Sequence, residues 1–365
     1  MITLSMDGIP PVWHYVVRMR KDRNQNSFVQ AAFIRSGSLV LLVSSLVLGC
    51  NSTIPHPPAF SDFQRAFHKG SESRAGVEAQ IEFFGAAMLS DQEIQTILIG
   101  TNVQAMIGAG LQGRLDDHWD MALLERATEM SPSNSVAWAA LAYRSLALQE
   151  NQMGDVQITG KKFRKAVEML LALAPSNSVP LYLQAAFECL ETNVAGAKEL
   201  TIKACRIDGF DTYETALKMC IIQALEGVGY SKFTARIVAS GNAPGVVAWS
   251  KLNKAILAAG PSSEEVRGCF ILGARVGSGS SFLDQLVGGS IQLKTMEKLT
   301  GPEFATEKNR IAEKKDLIKR AARYLNSVRA HNVTEMQWVQ YYDRCFDSGE
   351  MDAVQWLAEK TGDAF

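Results

Sequence analysis

A few places in this chain carry residues that could do chemistry. Gly277-Ser-Gly279-Ser-Ser, inside a glycine-rich stretch from 273 to 289, has the backbone freedom to cradle a phosphate. No Lys-Ser/Thr pair closes it and no strand pattern flanks it, so it reads as a flexible interhelical loop. Asp116 and Asp117 stand beside His118 and invite an acid–base role, but a helix start, where carboxylates meet the positive end of the dipole, explains them more simply. The five histidines, His14, His56, His68, His118 and His331, are scattered, with no pair at metal-ligand spacing on a helix. Cys189, Cys205, Cys220, Cys269 and Cys345 form no CxxC and fall largely in apolar windows, which makes buried thiols the default, with one disulfide open to an exported chain. Residues 306–329 place Lys308, Arg310, Lys314, Lys315, Lys319, Arg320, Arg323 and Arg329 against Glu307, Glu313 and Asp316. That excess reads as a solvated helix face, or as a patch for an acidic partner, a lipid headgroup or a wall polymer. No Ser-His-Asp, Cys-His or paired-carboxylate arrangement stands out, so the sequence assigns no catalytic residue, no metal ligand and no cofactor.

The elements that would hold such residues are helical. A chain of 365 residues, 47% hydrophobic and 21% charged, can bury a sizeable core, and its net charge of −1 gives no global field for nucleic acid. Residues 101–211 repeat themselves. Pro-Ser-Asn-Ser-Val occurs at 132–136 and again at 175–179, each time between two apolar-periodic segments. Each proline follows a helix end, and Asn134 and Asn177 stand where the next helix wants a cap. Counting from Pro132, one unit begins at Thr101 with Ile107, Gly108 and Leu111 in its first helix and Leu124 and Ala127 in its second. A second begins at Ser135 with Trp138, Leu141 and Ala142, then Phe163, Val167 and Leu170, after a surplus near residues 151–160. A third begins at Ser178 with Leu181, Ala185, Ala197 and Ala204.

In period and in these positions the chain resembles the tetratricopeptide-repeat family, whose units of about 34 residues pair two helices through small side chains. It departs from the pattern in Gln104 and Leu181 where Trp is usual, and in Asp120 where a small residue is usual. The resemblance implies an all-α fold, an α-solenoid of helical hairpins with extra N- and C-terminal helices. It also implies recognition of a protein or peptide through first-helix side chains, with Asn102, Gln104, Tyr143, Arg144, Tyr182 and Gln184 as candidate contacts.

At the N-terminus, Arg18, Arg20, Lys21, Arg23 and Arg35 precede an apolar run over residues 39–48, too short to span a bilayer. It ends in Val47-Leu48-Gly49-Cys50, which resembles the lipobox of bacterial lipoproteins. By that resemblance residues 1–49 are a signal peptide, with Met19 as an alternative start, and Cys50 is the lipidated residue. The proline-rich stretch that follows makes 50–60 a tether, and Asn51 favours the outer membrane facing the periplasm.

Residues 61–245 then form the repeat region, opened by a helix with Val77, Ile81, Phe84 and Met88 on one face and by a capping box from Ser90 to Glu93. Ala239, Pro244 and Trp249 suggest a fourth, degenerate unit. Residues 246–365 continue or cap the array. Capping boxes are expected at Ser262/Glu265, Thr300/Glu303 and Asn332/Glu335, and a seven-residue stripe of Phe304, Ile311, Ile318 and Leu325 predicts one long helix. The function expected is that of a lipid-anchored adaptor in the bacterial cell envelope, possessing no enzymatic activity and no affinity for nucleic acid. The rival expectation is a periplasmic enzyme such as a cell-wall hydrolase, marked by shifted carboxylates gathered in the C-terminal half.

Overall fold

A computed structural model describes residues 56–68, 74–112, 118–151, 153, 155–299, 303–327 and 332–363. The expected lipidation site Cys50, the signal peptide, Asp116, Asp117, Thr300 and Pro302 lie outside them. Among the described residues the chain is all-α, with one isolated backbone bridge between Asn177 and Gly209.

The helices come in neighbouring pairs. α1 (Phe60–His68) packs on α2 (Arg74–Ala86), and α3 (Asp91–Ile99) leads into α4 (Val103–Gln112). α4 packs on α5 (His118–Met130), α6 (Ser135–Glu150) on α7 (Val156–Leu173), and α8 (Val179–Leu190) on α9 (Val194–Cys205). These are the three units counted in the sequence. Part of the surplus in the second is helical: residues 156–160 form the first turn and a half of the 18-residue α7, which follows a 16-residue α6. α4, α6 and α8 touch in series, which joins the pairs through their first helices.

The row is then interrupted. α10 (Glu214–Gly227) turns back to lie along α4, and α11 (Lys232–Ser240) packs on α10 and on α16 (Glu335–Asp347). Pro244, read as the close of a fourth unit, follows the α10–α11 pair, which lies out of the row; α12 (Val246–Ala258), carrying Trp249, then rejoins the row against α8, and α13 (Ser263–Gly277) packs on α9. α14 (Phe282–Met296), α15 (Glu303–Leu325), α16 and α17 (Glu350–Thr361) complete the chain. Aromatic rings tie its two ends together, with Phe63 lying 4.8 Å from Phe233 of α11 and 5.9 Å from Trp338 of α16 between centroids.

Local chemistry explains most boundaries. Ser90 and Ser262 form the capping boxes expected of them, and Asn134 Oδ1 accepts from Val136 N at 3.0 Å to open α6. The box expected at Asn332 forms two residues later, between Thr334 and Gln337, because α16 begins at Glu335. In α2 the buried face runs through Gln80, Phe83 and Phe84 while Ile81, and Met88 just beyond the helix, are half-buried, so the face is rotated from the one read in the sequence. The stripe of α15 holds: Ile311, Ile318 and Leu325 are buried and Phe304 is half-buried.

The glycine-rich stretch corrects another expectation. Gly273 and Gly277 lie within α13, and Gly288 and Gly289 lie within α14. A Cβ at Gly288 would sit 2.1 Å from the backbone nitrogen of Gly277. The stretch is a close helix crossing with a short turn between, and its glycines serve contact rather than flexibility. The five described cysteines are free thiols, with Cys220, Cys269 and Cys345 buried.

Candidate functional site

The second copy of Pro-Ser-Asn-Ser-Val builds the turn that aims α10. Asn177 Oδ1 accepts from Val179 N at 3.1 Å and from Asp211 N at 3.0 Å, while its Nδ2 donates to Asp211 O at 2.8 Å. Ser178 N donates to Gly209 O at 2.8 Å, and Arg275 reaches over from α13 to donate to Ser178 Oγ at 3.1 Å and to the carbonyls of Ala204 and Ile207. Residues 206–211 are thus pinned along the start of α8, and a Cβ at Gly209 would meet Ser176 O at 2.2 Å. Asp211 Oδ1 then accepts from Tyr213 N at 2.7 Å, Tyr213 turns left-handed at φ 58°, and α10 starts at Glu214.

α10 presents different chemistry on its two flanks. On one, Lys218 donates to Glu214 a turn away, and the pair faces Asp284 of α14 and Glu350 at the start of α17. Lys218, Asp284 and Glu350 are 6%, 7% and 7% exposed, so this charge cluster is closed to solvent. Phe282 N donates to the Glu350 carboxylate, and Ser281 Oγ donates to Asp284 Oδ2 at 2.5 Å. Burial, and next the charge of Glu214, push the Asp284 carboxyl up to about 8, against the pull of Ser281 and Lys218. Burial works against the Lys218 ammonium, but Glu214, Glu350 and Asp284 outweigh it and hold its pKa above the ordinary lysine value. The Cys345 thiol is pushed well up by burial and then by Glu350. Chemically this is a protonated carboxyl and an ion pair knitting α10, α14 and α17 together.

On the other flank a cleft of about 260 Å³ opens between α10, α4 and the start of α6. Gln104, Asn134, Val136, Ala216, Met219, Cys220 and Gln223 line it. Its walls carry three neutral amides and no charge, and Met219 is 41% exposed at its edge. Amides can donate to and accept from a peptide backbone while Met219, Val136 and Ala216 meet apolar side chains. α4 and α10 approach closely because position 108 is glycine: a Cβ there would fall 2.0 Å from Cys220 O. Gly108, read as a seam within a hairpin, is in fact the seam between that hairpin and α10.

The six residues expected to touch a partner are placed very differently. Gln104 is exposed and lines the cleft, and Asn102 beside it caps α4, accepting from Ala105 N at 3.1 Å. Gln184 is half-buried. Tyr143, Arg144 and Tyr182 point inward instead: Tyr143 donates to Thr212 O at 3.2 Å, Arg144 pairs with buried Asp120, and Tyr182 lies between the rings of Phe210 and Trp249. The turn before α10 covers Tyr143 through Thr212 and, with Trp249 of α12, covers Tyr182 through Phe210, while Arg144 turns into the α5–α6 seam to meet Asp120. Sequence reasoning missed Ala216, Met219 and Gln223, because nothing in α10's own pattern says which helix it packs on. Among the described residues no group of three His, Cys, Asp or Glu side chains is arranged to hold a metal ion.

Compared with known proteins, the chain matches no family, no curated protein and no solved structure.

Proposed function

We propose that this protein is an exported scaffold of tetratricopeptide-like hairpins, arranged as an α-solenoid, which binds a protein or peptide partner during assembly of the bacterial cell envelope. It acts by docking rather than catalysis. The observation that carries this reading is the charge-free cleft between α4, α6 and α10, lined by Gln104, Asn134, Gln223 and Met219. An uncharged, amide-edged cleft suits an extended peptide of mixed apolar and neutral polar side chains. The anchor in this reading is a lipid on Cys50, with Cys50 the first residue of the mature chain and the domain on the periplasmic side of the outer membrane.

A photo-activatable residue placed at Met219 or Gln104 in living cells tests the docking site. The expected result is a discrete adduct from those two positions and none from exposed Lys161 on α7. Equal labelling from all three, or none from the cleft, overturns it. Labelling with a fatty-acid probe in parent and Cys50→Ala cells tests the anchor separately.

A second reading, a wall-active hydrolase, draws on the Asp284–Glu214 carboxyl pair. Catalysis on a polymer needs carboxyls that flank a substrate path. Asp284 and Glu350 are shut in by α10, α14 and α17, so the adaptor is the better account. Loss of a wall-hydrolysing activity on Asp284→Asn, with folding retained, would reverse that choice.

A further inference from the structure

We infer that the outer face of α15 lies on an anionic lipid surface, as a membrane contact separate from any acyl chain. Lys308, Lys315, Lys319 and Arg323 follow one another at spacings of seven, four and four, which puts them on one side of the helix over about 22 Å. All four are exposed, while Ile311, Ile318, Ala321, Ala322 and Leu325 are buried on the adjoining side, about 100° round the helix, and Glu313 and Asp316 share the exposed arc with Arg320. The stripe is largely uncompensated. Arg310 and Glu307 satisfy each other at 2.6 and 2.7 Å, and Lys319 pairs with Asp316 at 3.1 Å. Among the described residues no carboxylate pairs with Lys308, Lys315 or Arg323.

Charge complementarity selects the occupant, and the short tether strengthens the choice. If Cys50 carries the anchor, the six residues to His56 span at most about 20 Å. At His56 the chain is already fixed to the body: Nδ1 is 2.7 Å from Ala86 O and Nε2 is 2.9 Å from Glu93 Oε2. A body held that close must rest one face against the bilayer. From α1, just after the tether, a run of packed helices leads through Trp338 of α16 to α17 and on to α15. A straight stripe of cations along a helix matches a plane of phosphates better than it matches a folded acidic protein, and each basic residue near such a surface strengthens binding about fivefold.

The test uses the full chain bearing Cys50→Ala, so that it stands whether or not Cys50 is lipidated, and compares it with the same chain bearing Lys308→Glu, Lys315→Glu, Lys319→Glu and Arg323→Glu. The leader is common to both and cancels. Co-sedimentation is measured with vesicles of phosphatidylcholine alone and with added phosphatidylglycerol. The expected result is a preference for the anionic vesicles that weakens on the order of a hundredfold on charge reversal, fades with salt, and is not displaced by inorganic phosphate. Melting curves of the two chains should coincide, since all four side chains are in solvent. A preference undiminished by charge reversal overturns the inference. So does the absence of any preference in the parent chain, or equally tight binding of a soluble poly-glutamate to the same stripe.

Discussion

The carboxyl of Asp284 on α14 faces the carboxyl of Glu214 at the head of α10, and burial together with the charge of Glu214 holds Asp284 protonated up to about pH 8. Lys218 supplies the compensating charge on Glu214's other side. These buried charges face the C-terminal half from α10, beside the packing of α11 on both α10 and α16.

The pair makes stability fall with rising pH. Asp284 has its folded value raised to about 8 from an ordinary 3.8, so between those values the folded chain holds a proton that the unfolded chain has released. The stabilisation is therefore complete below about pH 4, declines as pH rises toward 8, and is gone above it. Asp284→Asn keeps an uncharged group that can donate to Glu214 and accept from Ser281. Urea unfolding at pH 5, 7 and 9 should find the variant close to the parent at the lowest pH and more stable by about 1–3 kcal/mol at the highest. A parent whose stability is flat across this range would show that Asp284 is not held protonated in the folded chain.

Glycines 277 and 288 face each other across the α13–α14 crossing, yet they are not equivalent. A Cβ at Gly288 would fall 2.1 Å from Gly277 N, whereas a Cβ at Gly277 would have 3.6 Å to its nearest neighbour. Gly288→Ala must push two backbones apart and should cost about 3 kcal/mol or more. Gly277→Ala fits and should be neutral or stabilising by up to about 1 kcal/mol, since alanine loses less entropy on entering a helix. Thermal melts of the two single variants decide between this crossing and a loose loop, in which both changes would be harmless.

Buried Asp120 and Arg144 couple α5 to α6. Each is under 10% exposed, so removing one leaves an uncompensated charge in the interior. Arg144→Ala should destabilise by about 3–5 kcal/mol, and the double change Asp120→Ala with Arg144→Ala by clearly less than the two single costs together. A double-mutant cycle by urea titration measures the difference, and additive costs would mean that the ion pair contributes nothing.

How far the sequence could be read follows from the range of the forces involved. Periodicity, caps and prolines are local, so the hairpins from α4 to α9, the long α15 and two capping boxes were legible. Asp120 announced itself as a misfit at a small-residue position, but its partner Arg144 was read as a surface contact, because both helical registers are compatible with either exposure. Where α10 goes is decided by Gly108 meeting Cys220 and by Asn177 meeting Asp211, contacts between residues far apart in the chain. A single sequence carries no trace of such pairings. The same blindness hid the cleft, two of whose walls belong to helices α4 and α10, and the carboxyl pair, whose members lie on α10 and α14. The glycine-rich stretch misled for a related reason: glycine frees a loop and permits a close crossing equally well, and only the neighbour tells which.

The two copies of Pro-Ser-Asn-Ser-Val look alike in sequence and should fail differently. Asn134 makes one cap bond at a half-buried helix start, so Asn134→Ala should cost about 1 kcal/mol, as the loss of an ordinary cap does. Asn177 is 6% exposed, and its three bonds hold residues 206–211 in place as a backbone strand would. Asn177→Ala leaves Val179 N without its partner at a buried helix start and removes both bonds that hold the Asp211 backbone, which should cost about 2–4 kcal/mol. Because residues 206–213 aim α10, the larger loss should come with a local signature. Limited proteolysis under native conditions should cut Asn177→Ala between Arg206 and Tyr213, while Asn134→Ala and the parent stay intact there. Equal costs for the two substitutions, or a protected turn in Asn177→Ala, would mean that the second copy is only a helix cap and that α10 is positioned by its packing on α4 alone.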